Sequence, residues 1–234
     1  MCIRDSHNAV DVSNNTLDVT SDTGNACGIG MVSYNDIYAN IEYNEMDVSG
    51  LGEADGVYLD ASISGTTYTG YIGFDGSSID PVAIGNNTIV VYSDSNIAYG
   101  VNILASAYHY SSTTYNSITV TSNSLSHPSV AAYLHGDAIG WTGSATPTLF
   151  QNNTGTVDGA ATRYMLVLNT DYVSTGNYVH WGTGGTANTF KVENGGAHAD
   201  WSGNYEAGET LPQTLMNQLQ PVYTNFGSGD TLTP

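Results

Sequence analysis

Basic residues are almost missing from this chain. Three Lys and Arg stand against 22 Asp and Glu over 234 residues, a formal charge of −19. That balance speaks against nucleic acid as a partner, because neutralising phosphates takes Lys and Arg in number. It speaks equally against anionic membrane surfaces. Cysteine is scarce, with only Cys2 and Cys27, so no disulfide framework holds the fold. A Cys2–Cys27 bridge is one option, and two unpaired thiols are the simpler one. No stretch reaches the roughly 18 apolar residues of a membrane helix, so no membrane insertion is expected of this segment. A secretory leader is not visible either. The opening MCIRDS resembles translated adapter sequence. Residues 1–6 are therefore read as non-native, and the missing leader carries no weight.

What the chain does have is β and turn chemistry. It carries 27 Gly and 17 Tyr, and 40% of its residues are hydrophobic, enough for a sizeable core. Asn, Ser, Thr and Gly supply the polarity in place of Lys and Glu, which leaves little helix-forming surface.

A template recurs along the chain: apolar, any, apolar, two residues, Asn, any, apolar, any, apolar. Val10, Val12, Asn15, Leu17 and Val19 fit it. So do Ala39, Ile41, Asn44, Met46 and Val48, and again Val82, Ile84, Asn87, Ile89 and Val91. Ile118, Val120, Asn123 and Leu125 fit with His127 in the last slot. Thr148, Phe150, Asn153 and Val157 fit with Gly155 in the fourth slot, and Tyr172, Asn177, Val179 and Trp181 fit loosely. The segments NSITV at 116–120 and NTFKV at 188–192 also match the second half. Asn123 and Asn177 are preferred there because they come closest to satisfying both halves. A second element follows each early Asn: ACGIGM (26–31), ADGVYL (54–59) and AYGVNI (98–103) share Ala-x-Gly-[Ile/Val].

Period-two alternation predicts half-buried strands with the apolar side chains inward. Each repeat then holds three short strands. The Asn marks a sharp corner, because Asn tolerates the left-handed backbone region better than other non-Gly residues. Asn15, Asn44, Asn87, Asn123 and Asn153, stacked repeat on repeat, would form a hydrogen-bonded ladder.

Three-strand repeats with Asn at the tight turn resemble the right-handed parallel β-helix proteins, the pectate-lyase-like superfold that includes secreted adhesins and autotransporter passengers. The resemblance spans roughly residues 8–195. It implies an all-β, single-stranded, right-handed parallel β-helix of about six irregular coils over residues 7–205. A β-sandwich is the main alternative, though it does not require Asn at the same place in successive segments. Residues 206–234 form a cap or tail. Within it Leu211, Leu215 and Leu219 have helical spacing, with Thr210 as N-cap.

The fold hosts lyases, hydrolases, tail-spikes and adhesins, so function has to be argued from a site. The enzyme candidate is YLHGD at 133–137, where His135 and Asp137 project to one face and Asp60 falls near the same strand two repeats away. Tyr58, Asn102 and Tyr133 occupy neighbouring slots as candidate binding residues. Paired carboxylates beside a His suit polysaccharide hydrolysis. Lyases of the resembling family use basic residues for catalysis and for holding acidic substrate, and here only Arg4, Arg163 and Lys191 are basic. Calcium is a candidate ligand for Asp18 and Asp47, which share a template slot; no cofactor is otherwise required. The expected function is a non-enzymatic, extracellular or cell-surface adhesin or rod. Glycans or a host surface are its candidate partners. A carbohydrate-active enzyme and a phage tail-spike fragment are the alternatives, and monomer or trimer is left open.

Overall fold

A computed structural model describes residues 2–4, 10–33, 36–61, 71–73, 82–105, 110–135 and 148–169, together with short strands between 172 and 232. Every regular element among the described residues is a β-strand. A leading strand β1 (Cys2–Arg4) precedes the first full tier, β2 (Val10–Ser13), β3 (Thr16–Ser21) and β4 (Ala26–Val32). After β5 (Asp36–Ile37) comes the second tier, β6 (Ala39–Glu42), β7 (Glu45–Gly50) and β8 (Ala54–Ala61). After β9 (Tyr71–Ile72) comes the third, β10 (Val82–Gly85), β11 (Thr88–Ser93) and β12 (Ala98–Ala105). The fourth is β13 (Ser111–Thr114), β14 (Ser117–Ser122) and β15 (Ser129–His135), and the fifth is β16 (Thr148–Gln151), β17 (Thr154–Gly159) and β18 (Arg163–Asn169). Shorter strands continue the order: β19 (Tyr172–Thr175), β20 (Tyr178–Trp181), β21 (Lys191–Val192), β22 (Ala199–Ser202), β23 (Tyr205–Glu206) and β24 (Thr231–Leu232).

The first strand of each tier joins an eight-stranded sheet, the second a seven-stranded sheet and the third another seven-stranded sheet. All pairings between tiers are parallel. The chain therefore passes through the three sheets in the same order in every tier. The pair β5–β9 forms a small fourth sheet.

The register explains why the alternating template folds this way. In the second-strand sheet Val19, Val48, Val91, Val120 and Val157 face one another across successive tiers. The last four are 0–1% exposed. Leu17, Met46, Ile89 and Ile118 form the parallel aliphatic row beside them. β-branched and aliphatic side chains stacked this way bury apolar surface on neighbours above and below, at about 25 cal/mol per Å². In the fifth tier Gly155 takes the aliphatic slot. Phe150, on β16 of the same tier, is the largest fully buried side chain among the described residues.

Two sequence expectations change. First, the corner residue in the left-handed region is the one before the template Asn. Positive φ occurs at Asn14, Tyr43, Asn86, Tyr115 and Asn152, all between 54° and 57°. Second, the corner of the fourth tier is Asn116, and Asn123 lies a strand later at the exposed end of β14. The apolar template misses Asn116 because the inward slots of β13 hold Ser111 and Thr113, both 0% exposed. The interior accepts small hydroxyl residues there, and a rule that demands apolar side chains slides one strand downstream. No helix occurs among the described residues, and none is long and apolar enough to cross a membrane. The helix expected from the leucine spacing and the corner at Asn177 both lie outside the described residues.

Candidate binding face

The Ala-x-Gly motif shapes the third-strand sheet. Gly28, Gly56 and Gly100 stand at the same place in successive tiers, followed by Ala131. A Cβ built on Gly56 would lie 2.3 Å from Ile89 Cγ2 and 2.6 Å from the Gly100 carbonyl oxygen. On Gly100 it would lie 2.3 Å from Ile118 Cγ2 and 2.5 Å from the Ala131 oxygen. At Gly56 and Gly100 no side chain fits this close approach of backbone to core. At these glycines the strict alternation slips: Ile29, Val57 and Val101, the next residues, are also buried in the core. The outward positions of the strands are consequently Asp55, Tyr58 and Asp60 on β8, Tyr99, Asn102 and Leu104 on β12, and Val130, Tyr133 and His135 on β15.

These side chains meet one another. Asn102 Nδ2 donates to Asp55 Oδ1 at 3.0 Å across two tiers. The Tyr58 hydroxyl donates to Asp60 Oδ2 at 2.8 Å. The Tyr99 and Tyr133 rings are 5.9 Å apart and tilted at 50°. The Tyr133 and His135 rings are 6.1 Å apart and nearly parallel, at 18°. Tyr58, Tyr99, Tyr133 and His135 are all half-buried.

Asp55 is the most perturbed group on the face. It is 6% exposed. Burial pushes its pKa up to about 7; the Asn102 amide opposes that rise, and the neighbouring negative Glu53 adds to it. Near neutral pH the Asp55 carboxyl is poised to donate or accept a hydrogen bond. Asn102, 4% exposed, has a buried Oδ1 with no partner among the described residues. Burial, the Asp60 hydrogen bond and the charges of Asp60, Asp55 and Glu53 all raise the Tyr58 hydroxyl above its ordinary value.

The face gathers Asp60, Tyr58, Asn102, Tyr133 and His135, each a candidate from the sequence. Asp137 lies outside the described residues. Asp60 and His135 share a row but Leu104 stands between them, about 9.6 Å of strand spacing apart. Asp55 and Asp60 are five residues apart on one strand, roughly 16 Å by strand rise. Only Asp55 and Asp60 form a carboxylate pair, and their separation exceeds the roughly 5–10 Å of a glycosidase pair. Asp55 and Tyr99 are the residues that sequence reasoning missed on this face. Their signal was the x of Ala-x-Gly, which points outward.

The metal candidates Asp18 and Asp47 are register partners on β3 and β7, both exposed. The next position in that row is Val90, and no group of three His, Cys, Asp or Glu side chains able to hold a metal occurs among the described residues.

Asn15, Asn44, Asn87, Asn116 and Asn153 form one continuous row. Each Nδ2 donates to the Oδ1 of the next, at 3.0, 3.0, 2.9 and 3.0 Å in turn. The row serves the corner's architecture. Asn123 stands apart from it and donates from Nδ2 to the Tyr92 hydroxyl. Tyr92, Asp94, Asp22, Thr20 and Ser49 line an open cleft of about 230 Å³ on the second-strand sheet. The one Lys or Arg whose side chain is described, Arg163, is buried.

No family model, curated protein or solved structure matches this chain.

Proposed function

We propose that the chain is a right-handed parallel β-solenoid acting as a non-enzymatic, extracellular or cell-surface binding rod, with the outer face of its third-strand sheet as the contact surface for glycans. The repeated visit to three parallel sheets supports the solenoid, and parallel crossovers are right-handed in about 98% of cases. One observation carries the binding reading: the Tyr99–Tyr133–His135 ring row lies on the same face as the buried Asp55–Asn102 pair. Aromatic faces stack on sugar rings while buried polar groups select hydroxyl geometry. The acid-rich composition favours a neutral glycan over an acidic one.

The test is a glycan array probed with the intact chain and with Tyr99→Ala and Tyr133→Ala. Binding that weakens about tenfold or more in both variants supports the face. Array binding untouched by either substitution removes this surface from consideration.

One observation favours a second reading, a carbohydrate-active enzyme: the raised pKa of Asp55 suits a general acid. A polysaccharide-hydrolysis screen separates the two. Product release that disappears in Asp55→Asn or His135→Ala replaces the rod with an enzyme.

A further inference from the structure

The left-handed corner positions form an exposed row of their own: Asn14, Tyr43, Asn86, Tyr115 and Asn152. Backbone bonds fix it. Asn14 N–H donates to the Glu42 oxygen at 3.2 Å, Tyr43 to Gly85 at 3.2 Å, Asn86 to Thr114 at 3.1 Å and Tyr115 to Gln151 at 3.2 Å. Asn at three of these positions needs no special account, because Asn adopts positive φ readily. Tyrosine does need one. A bulky side chain at positive φ is a strained outlier, and strain of this kind is retained where function uses the residue. Tyr43 is 58% exposed and Tyr115 is 62% exposed, so core packing does not explain either.

Their spacing is set by the fold. Tyr43 and Tyr115 are two tiers apart with Asn86 between them, about 9.6 Å at the strand spacing. An extended β-1,4-linked glycan turns each sugar over relative to the last, so the same ring face recurs once per disaccharide, with a closely similar repeat. Two rings at that interval engage equivalent faces of alternate sugars, and the amides of Asn14, Asn86 and Asn152 stand where hydroxyls pass. Among the described residues no Lys or Arg adjoins the row, while Glu42 and Glu45 flank it, so an anionic chain is disfavoured.

We propose that the Asn14–Tyr43–Asn86–Tyr115–Asn152 row is a binding strip for a neutral, extended β-1,4-linked polysaccharide running parallel to the stack of tiers. It is a second surface, separate from the third-strand face, and it stands or falls independently of that face.

The experiment is depletion binding of the intact chain to microcrystalline cellulose and to chitin, with the α-1,4-linked glucan amylose as control. The key variant is Tyr43→Asn/Tyr115→Asn, which places at both corners the residue the fold already uses at the other three. Retention of the parent's circular dichroism and melting temperature establishes that it is folded. Binding of the parent chain to cellulose or chitin but not amylose is expected. A loss of about tenfold or more is expected in the double Asn variant. Tyr43→Phe/Tyr115→Phe, which keeps both rings, is expected to bind within about twofold of the parent chain. Leu125→Ala, at an exposed site on neither surface, is expected to leave this binding unchanged. The strip is overturned if the parent chain ignores both β-1,4 glycans, if it binds amylose equally, or if the double Asn variant binds as the parent does.

Discussion

Asn87 Oδ1 accepts two hydrogen bonds from one residue of the neighbouring tier: the Asn44 backbone N–H at 2.9 Å and the Asn44 Nδ2 at 3.0 Å. Asn87 Nδ2 in turn donates to the Ile41 carbonyl at 2.8 Å and to Asn116 Oδ1 at 2.9 Å. One amide thus satisfies buried groups of the tiers on both sides.

Asn87→Ala leaves the buried Asn44 N–H without its acceptor and removes a donor from the Ile41 carbonyl. At about 1–3 kcal/mol for a buried group left without a partner, the loss is of that order. Asn123→Ala, outside the row, costs about 0.5 kcal/mol or less. Urea denaturation of the two variants decides between these corners. Equal losses at both would remove the special status of Asn87.

The strained corners make the opposite prediction. Tyr43→Gly or Tyr115→Gly relieves a positive-φ penalty at an exposed site and stabilises by about 0.5–1 kcal/mol, net of the extra freedom of the unfolded glycine. Asn86→Val, which brings a β-branched side chain to φ of 55°, destabilises by about 1–2 kcal/mol. Paired melting curves read the signs. A glycine that lowers the melting point at both tyrosine corners contradicts the strain.

The glycine column predicts position-specific intolerance. Gly100→Ala drives a methyl into the Ala131 oxygen and Ile118, at 2.5 and 2.3 Å, and overpacking of this kind costs about 1–3 kcal/mol or more. Gly24→Ala meets nothing closer than Ser21 Oγ at 3.9 Å, so its cost stays within about 0.5 kcal/mol. Both are read in the same denaturation series, and a tolerated Gly100→Ala would falsify the close approach.

Asp55 gives a pH dependence with a definite sign. Its pKa is raised from 3.8 to about 7 on folding, with burial the largest cause. The folded state therefore holds a proton that the unfolded state has released anywhere between those values. Its contribution to stability is fully present below about pH 4 and is lost as pH rises through 7, with a slope of at most about 1.4 kcal/mol per pH unit. Asp55→Asn keeps the shape and removes the titration. The stability of the parent chain minus that of Asp55→Asn is expected to fall between pH 4 and 7 and level off above it. A flat difference across that range means that Asp55 ionises as an ordinary exposed carboxylate does.

The all-β, parallel character was legible because alternation at Val10/Val12 and Leu17/Val19 repeats with Asn at a fixed offset. What was not legible follows from local chemistry. Ser111 and Thr113 are inward yet polar, so hydropathy skipped the corner at Asn116. The αL residue was assigned to the buried ladder Asn, whereas the exposed residue before it bears the torsion; Tyr43 and Tyr115 are poor intrinsic candidates for that role. Asp55 is absent from the candidates that the sequence offers. The Ala-x-Gly motif around it belongs to β8, and once the glycine is seen as an inward position its neighbour must face out.

The Asn row also bears on how such a chain tolerates change. Consecutive members are separated by 29, 43, 29 and 37 residues, yet each lands on the next with the same pair of bonds. Register is thereby re-zeroed once per tier. An insertion or deletion in one connecting loop stays a local event, because the next amide cancels the offset before the following sheets are laid down.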